Sequence, residues 1–95
     1  MRASAGDFTH AEIAAYYSTR APALKQAMGQ EWWRGPCPIH FGTRDSFSVN
    51  SKSGVWHCFS QCGRGGSIFD LEQMLTDVSR SAAVLSVMRI VGRRA

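Results

Sequence analysis

Apolar side chains recur at helical spacing near the start of the chain, where a helix of about 3.6 residues per turn would place them on one face. These side chains are Ile13, Tyr16 and Tyr17. Thr9 and Glu12 have the spacing of a capping box, and Phe8 precedes the cap as in a hydrophobic staple. The pattern predicts a helix that begins after Thr9 and ends near Pro22.

Between residues 31 and 62 the apolar period changes from helical to alternating. Phe47 and Val49 alternate with serine and asparagine, which predicts a strand with one buried face. Residues 50–54 form a turn sequence, and residues 55–57 are typical of the return strand of a hairpin. The segment therefore predicts a small antiparallel sheet.

Two further helices follow a glycine-rich turn at residues 63–66. Ser67 is a good N-cap for the first of them, with Asp70 in its first turn. The last helix begins near residues 79–81, and Gly92 ends it. Their apolar stripes are typical of core packing and not of a cofactor site; they comprise Ile68, Leu71 and Leu75 in the first helix and Val84, Val87, Met88 and Val91 in the second.

This order of elements predicts an α+β fold in which one N-terminal and two C-terminal helices flank a small antiparallel sheet. We expect residues 1–7 to be a flexible N-terminus and residues 8–95 to form a single domain. The chain of 95 residues is 44% hydrophobic, which is enough for one small core and argues against general disorder.

The cysteines and charges indicate a cytoplasmic protein with no membrane association. Three cysteines do not suit a secreted disulfide framework, and Asp7 and Glu12 interrupt any secretory signal. Arg89 ends the most apolar run at residues 82–88, which is far too short to span a membrane. In a reducing compartment, clustered cysteine and histidine more often bind metal than form disulfides.

Two short pairs of metal-ligand residues stand out in the middle of the chain. Cys37 and His40 form a C-x₂-H pair, and Cys58 and Cys62 form a C-x₃-C pair. Seventeen residues separate the pairs, and a hairpin of that length brings them together. Three thiolates and one imidazole suit one tetrahedral Zn²⁺, and four protein ligands leave no open position for catalysis. We therefore predict one structural zinc ion.

Two alternatives compete with this interpretation. His57 could replace His40 as a ligand, although adjacent strand residues such as His57 and Cys58 point to opposite faces. A zinc deaminase would use H-x-E followed by P-C-x-x-C, which His10-Ala11-Glu12 and the segment Pro36-Cys37-Pro38-Ile39-His40 match in part. The deaminase pattern fails because His40 stands where its second cysteine should be, Glu12 already caps a helix, and the second cysteine pair would be unexplained.

The same residues resemble the CHC2-type zinc-binding domain of bacterial and phage DNA primases. The resemblance covers roughly residues 8–92 and rests on five matching elements, namely Cys37-Pro38-Ile39-His40, Ser46-Phe47-Ser48-Val49, Trp56-His57-Cys58-Phe59, Cys62 and Gly63-Arg64-Gly65-Gly66. Two departures are visible. The second pair has one residue more than the usual C-x₂-C, and Arg44-Asp45 replaces the family's Thr-Pro.

The resemblance implies a zinc ribbon that contacts single-stranded template DNA and helps choose where a primer starts. It also implies that primer synthesis belongs to a separate catalytic domain, so we expect this chain alone not to be an enzyme. The chain would be an excised domain or a protein that acts in trans. Its partners would be single-stranded DNA and, beyond it, the primase catalytic domain and the replicative helicase.

A net charge of +4, about +3 once three thiolates bind zinc, suits a nucleic acid. We predict that cations and one aromatic ring around the ribbon contact it, namely Arg34, Arg44, Lys52, Trp56 and Arg64. Arg64 could alternatively hold phosphate at the following helix or be solvated. Phe47 and Phe59 are expected in the core, and one of Trp32 and Trp33 should be buried.

Two other functions remain open at this point. A zinc ribbon of this size could dock on a polymerase or helicase through the same sheet, and an aromatic face with its basic residues elsewhere would favour that function. The other is a small regulator of a mobile element that binds duplex DNA. Comparing the affinities for single-stranded and duplex DNA would distinguish it from a module that binds single strands.

Overall fold

The computed structural model describes residues 8–39, 45–59 and 63–93. Within them, three helices and four strands follow one another along the chain. In chain order these elements are α1 (His10–Arg20), β1 (Trp32–Gly35), β2 (Phe47–Asn50), β3 (Trp56–Cys58), β4 (Gly65–Gly66), α2 (Ile68–Thr76) and α3 (Arg80–Val91). Residues 1–7, which were expected to be flexible, lie outside the described part of the chain.

The predicted helix boundaries are confirmed, and side-chain caps explain them. The Thr9 hydroxyl accepts the Glu12 amide, while the Glu12 carboxylate accepts the Thr9 amide. Ser67 and Asp70 form the same reciprocal box at the start of α2. Helix α3 ends at Gly92, whose φ of 88° is the left-handed conformation that glycine adopts without strain.

The four strands form one antiparallel sheet in the order β1-β2-β3-β4. Strand β4 is the element that the sequence did not predict, because its two glycines were interpreted as a turn. A side chain at Gly65 would place its Cβ 2.8 Å from the backbone oxygen of Trp56, so only glycine permits this strand to approach β3.

The core lies between one face of the sheet and the helices. Phe47 and Trp56 stack in it with ring centroids 5.7 Å apart, and Phe47 also meets Tyr17 of α1. Trp56 is fully buried (0% exposed), and its indole Nε1 donates to the Ser67 carbonyl over 2.8 Å. The prediction that Trp56 faces DNA is therefore wrong, since strand alternation turns it toward the helices.

Exposure of the other aromatic side chains follows the same alternation. Trp33 is buried and Trp32 is 48% exposed, which confirms that one of the pair belongs to the core. Phe59 is 64% exposed, so the expectation that it is a core residue is wrong. It follows the last residue of β3 by one position, and alternation places it on the side away from Trp56 and Cys58.

Among the helices formed by the described residues, none combines the length and the hydrophobicity that a membrane span requires.

Candidate metal centre and nucleic-acid interface

The strand register brings the two predicted metal-binding segments to one end of the sheet. Gly35 at the end of β1 pairs with Phe47, which in turn pairs with Cys58 at the end of β3. The segment that continues from β1 to Cys37 and the segment that follows Cys58 therefore lie at the same end of the sheet. The turn between β2 and β3 lies at the opposite end.

Cys37 and Cys58 are both buried, with exposures of 1% and 0%. Thiols that converge at one end of a sheet and are shielded from water suit a structural zinc ion. The other two predicted ligands, His40 and Cys62, lie outside the described residues. In the described ranges alone, no three potential ligands cluster closely enough to hold a metal.

His57, the rival ligand, lies on the other side of β3. The flanking residues Trp56 and Cys58 are fully buried toward the helices, whereas His57 is only half-buried. Its imidazole packs against the Phe59 ring with centroids 4.3 Å apart. The structure thus places His57 on the opposite face of the strand from Cys58.

The surface of the sheet that faces away from the helices is here called the outer face. Its members share their strand parity, which points them to the same side; they are Trp32, Arg34, Ser48, His57 and Phe59. Arg34, Ser48 and His57 form one row across the sheet, because Arg34 pairs with Ser48 and Ser48 pairs with His57. The Arg34 guanidinium carbon lies 6.0 Å from the centroid of the Phe59 ring. The outer face thus combines a cation with exposed aromatic rings.

The four described residues among those predicted to contact DNA do not converge on one surface. Of these four only Arg34 is on the outer face, and Arg44 lies outside the described residues. Lys52 is exposed in the turn between β2 and β3, at the end of the sheet opposite the cysteines. Arg64 borders a cavity on the α2 side together with Asp70 and Asp77, whose carboxylates make that surface less suitable for phosphate.

Sequence reasoning missed Phe59 as a surface ring and did not decide which of Trp32 and Trp33 is exposed. The signal for Phe59 was available, because it stands two positions after His57 and so shares its face if the strand pairing continues. The pairing does continue: the Phe59 amide donates to the Ser46 carbonyl over 2.8 Å. Hydrophobicity alone favours the opposite prediction for Phe59, since a phenylalanine is more often buried than exposed.

Comparison with known proteins agrees with these observations. The DNA primase of Enterococcus faecalis is 36% identical over 55 residues, which are 58% of this chain and 9% of that protein. The DNA primase of Staphylococcus epidermidis is 40% identical over 50 residues, or 53% of this chain and 8% of that protein. The matched segments therefore span less than a tenth of either primase.

A solved structure supports the fold assignment. The crystal structure of the Aquifex aeolicus primase, described as its zinc binding and RNA polymerase domains, matches with a TM-score of 0.69. The match covers 93% of this chain and 23% of the other at 22% identity, a level that supports the fold alone. The predicted α+β fold is confirmed. The family model of the CHC2 zinc finger matches residues 10–94, and the chain belongs to that family.

Proposed function

We propose that this chain is the zinc-binding module of a DNA primase and that it holds single-stranded template DNA on the outer face of its sheet. The observation that carries the proposal is the Arg34–Phe59 pair, a guanidinium beside an exposed ring on a sheet face opposite the helices. The primase relatives support the same class of function. Primer synthesis then belongs to another domain, and this chain alone is not catalytic.

One structural zinc ion is part of this proposal. Cys37, His40, Cys58 and Cys62 would hold it, and the two cysteines of this set that the structure describes are buried at the same end of the sheet. When bound, the ion cross-links the loops that follow β1 and β3. Phe59 directly follows Cys58, so the cross-link would also fix the position of that ring.

Two physical effects would retain a single strand on this face. Each base stacked on an aromatic ring contributes about 1–3 kcal/mol, and Phe59 and Trp32 offer exposed rings. Arg34 supplies positive charge beside them, and the chain as a whole carries a formal charge of +4. Duplex DNA hides the faces of its bases in the stack, so this arrangement favours unpaired DNA.

The partners of the module follow from its place among primases. The matched segments occupy only 8–9% of the primases they resemble. We propose that the catalytic domain of a primase and the replicative helicase are its protein partners.

Fluorescence titration with single-stranded oligonucleotides tests the DNA interface. Trp32 is exposed whereas Trp33 and Trp56 are buried, so base stacking should quench mainly Trp32. We expect binding that weakens as salt increases. Arg34→Ala and Phe59→Ala should each lower the affinity by roughly tenfold, the equivalent of one stacked base or charged contact.

Arg89→Ala is the matched control, because Arg89 is an exposed cation on α3 and not on the sheet. It should leave the affinity nearly unchanged. Tighter binding to duplex than to single-stranded DNA would contradict the proposal and favour a duplex-binding regulator. No binding of either DNA at low salt, with zinc present, would favour a protein-docking ribbon.

A further inference from the structure

Two serine hydroxyls, one just before strand β2 and one within it, lie buried without a hydrogen-bond partner. They are Ser46 Oγ and Ser48 Oγ, and among the described residues they are the buried side-chain polar atoms left in this state. Ser48 as a whole is 3% exposed. Buried hydroxyls almost always find a partner, so these two offer hydrogen-bonding capacity that a ligand on this face could use.

The position of these serines relates them to the outer face. Ser48 lies between Arg34 and His57 in the row that crosses the sheet. Ser46 is opposite Phe59, whose amide donates to the Ser46 carbonyl. The serines therefore form the floor of a strip with Arg34 on one side and the His57 and Phe59 rings on the other.

The separation between the Arg34 guanidinium and the Phe59 ring is close to what is needed to hold a stacked base between them. Arg34 Cζ is 6.0 Å from the Phe59 centroid. A flat base between a guanidinium and a phenyl ring would need a separation of about 7 Å, twice a contact distance of ~3.5 Å. A small rotation of the exposed Arg34 side chain supplies the difference, because a cation–π contact at this distance in water is weak.

We propose that Arg34, Phe59 and Ser48 form a subsite for one unpaired nucleobase. The base enters between the guanidinium and the phenyl ring, and its edge hydrogen-bonds with Ser48 Oγ. A hydroxyl donates and accepts, so it pairs with polar atoms on a base edge and discriminates between bases by their pattern. This inference rests on the proposed function and adds to it the residue that reads the base.

Oligonucleotides made of abasic sites with one central adenine, cytosine, guanine or thymine test the subsite. We expect wild-type protein to prefer one or two of the four bases. Ser48→Ala should lower the affinity for the preferred base by about three- to tenfold, the range of one neutral hydrogen bond. It should leave the fully abasic oligonucleotide unaffected, while Phe59→Ala should bring all four bases to the abasic level.

Two measurements separate loss of the subsite from loss of structure. Ser48→Ala removes a hydroxyl that has no partner, so its Tm should equal or exceed that of the wild type. Ser81→Ala, an exposed serine on α3, should change neither Tm nor base preference. Unchanged base affinities in Ser48→Ala, with natural single strands still bound through Arg34, would overturn the subsite alone. Failure of wild-type protein to bind natural single strands would overturn the proposed function as well.

Discussion

Glu72 shows how one charged side chain is accommodated inside the helical layer. Its carboxylate is fully buried and accepts hydrogen bonds from the Tyr16 hydroxyl over 2.9 Å and from Arg20 over 2.6 and 2.8 Å. Burial is the largest influence on the Glu72 pKa and would raise it, but the hydrogen bonds from Arg20, Tyr16 and Ser86 together hold it below its ordinary value. Glu72 therefore stays charged and joins α1 to α2.

Glu72→Gln tests the energetic value of this cluster. The amide cannot accept from Arg20 at both positions, so a partly buried donor loses its partner. We expect the free energy of unfolding to fall by about 2–4 kcal/mol, measured by urea denaturation. Lys25→Ala is the control, because it removes an exposed ion pair with Asp45 and should cost less than about 1 kcal/mol. Equal losses in the two variants would contradict this account.

The proposed zinc ligand His40 and its rival His57 can be distinguished by replacing each in turn. We expect His40→Ala to lower bound zinc below one ion per chain under mild chelation, because three ligands remain. His57→Ala should retain the ion, since His57 lies on the opposite strand face from Cys58. Metal content after dialysis against a weak chelator gives the answer, and loss of zinc only in His57→Ala would show that the ligand assignment is wrong.

Trp56 and Phe59 show what the sequence predicts at the level of single residues. The sequence predicts the strand, and strand alternation then assigns the two residues to opposite faces. It does not say which face the helices cover, because that depends on how α1, α2 and α3 pack. Trp56 was therefore predicted on the surface and Phe59 in the core, and the structure reverses both.

At the scale of elements, each helix begins where a short polar side chain satisfies its free amides. Ser67 caps α2 and Asp70 returns the bond, whereas Ser79 caps α3 without a partner at the third helical position. Ser67 also places its carbonyl to accept from the Trp56 indole. The start of α2 is thus tied to the sheet as well as to its own cap.

We expect Ser67→Ala to destabilise the protein by about 1 kcal/mol, the usual cost of losing a cap. Ser79→Ala should cost less, because the Ser67 hydroxyl also donates to the Asp70 carboxylate over 3.0 Å, whereas among the described residues the Ser79 hydroxyl has only the exposed Ser81 hydroxyl as a further contact. Thermal unfolding monitored by circular dichroism compares the two variants. A larger effect at Ser79 would show that the bond between the Ser67 hydroxyl and Asp70 adds nothing to the stability of α2.

At the scale of the whole molecule, an ion pair joins the first helix to the segment after the last. Arg93 Nη2 donates to Glu12 Oε1 over 2.7 Å, and the guanidinium lies over the Phe8 ring at 5.1 Å. The hydrogen bond from Arg93 is the largest influence on the pKa of Glu12; with the charge of Arg93 and the bonds from Thr9 it outweighs burial and lowers that pKa from 4.5 to about 2. This pair connects α1 to the residues that follow α3, near the two ends of the described chain.

The stability contributed by this pair should depend on pH. Because the folded-state pKa of Glu12 is depressed, the contribution is complete above pH 4.5 and is lost as the pH falls toward 2. Glu12→Gln keeps the capping geometry but removes the charge, and should cost about 1–2 kcal/mol at pH 6. Urea unfolding from pH 6 to pH 3 should show the free energies of unfolding of the wild type and Glu12→Gln converging. A difference in free energy that stays constant with pH would contradict the contribution of this pair.

The sequence by itself determined the helices, their caps, the central hairpin and the spacing of the two pairs of candidate metal ligands, because each depends on neighbours within a few positions. Only the tertiary structure decided the role of Gly65 in a fourth strand, the burial of Trp56, and the meeting of Arg34, Ser48 and Phe59 on the outer face. Those features depend on the register between strands and on which sheet face the helices cover, and both are set by contacts between distant parts of the chain.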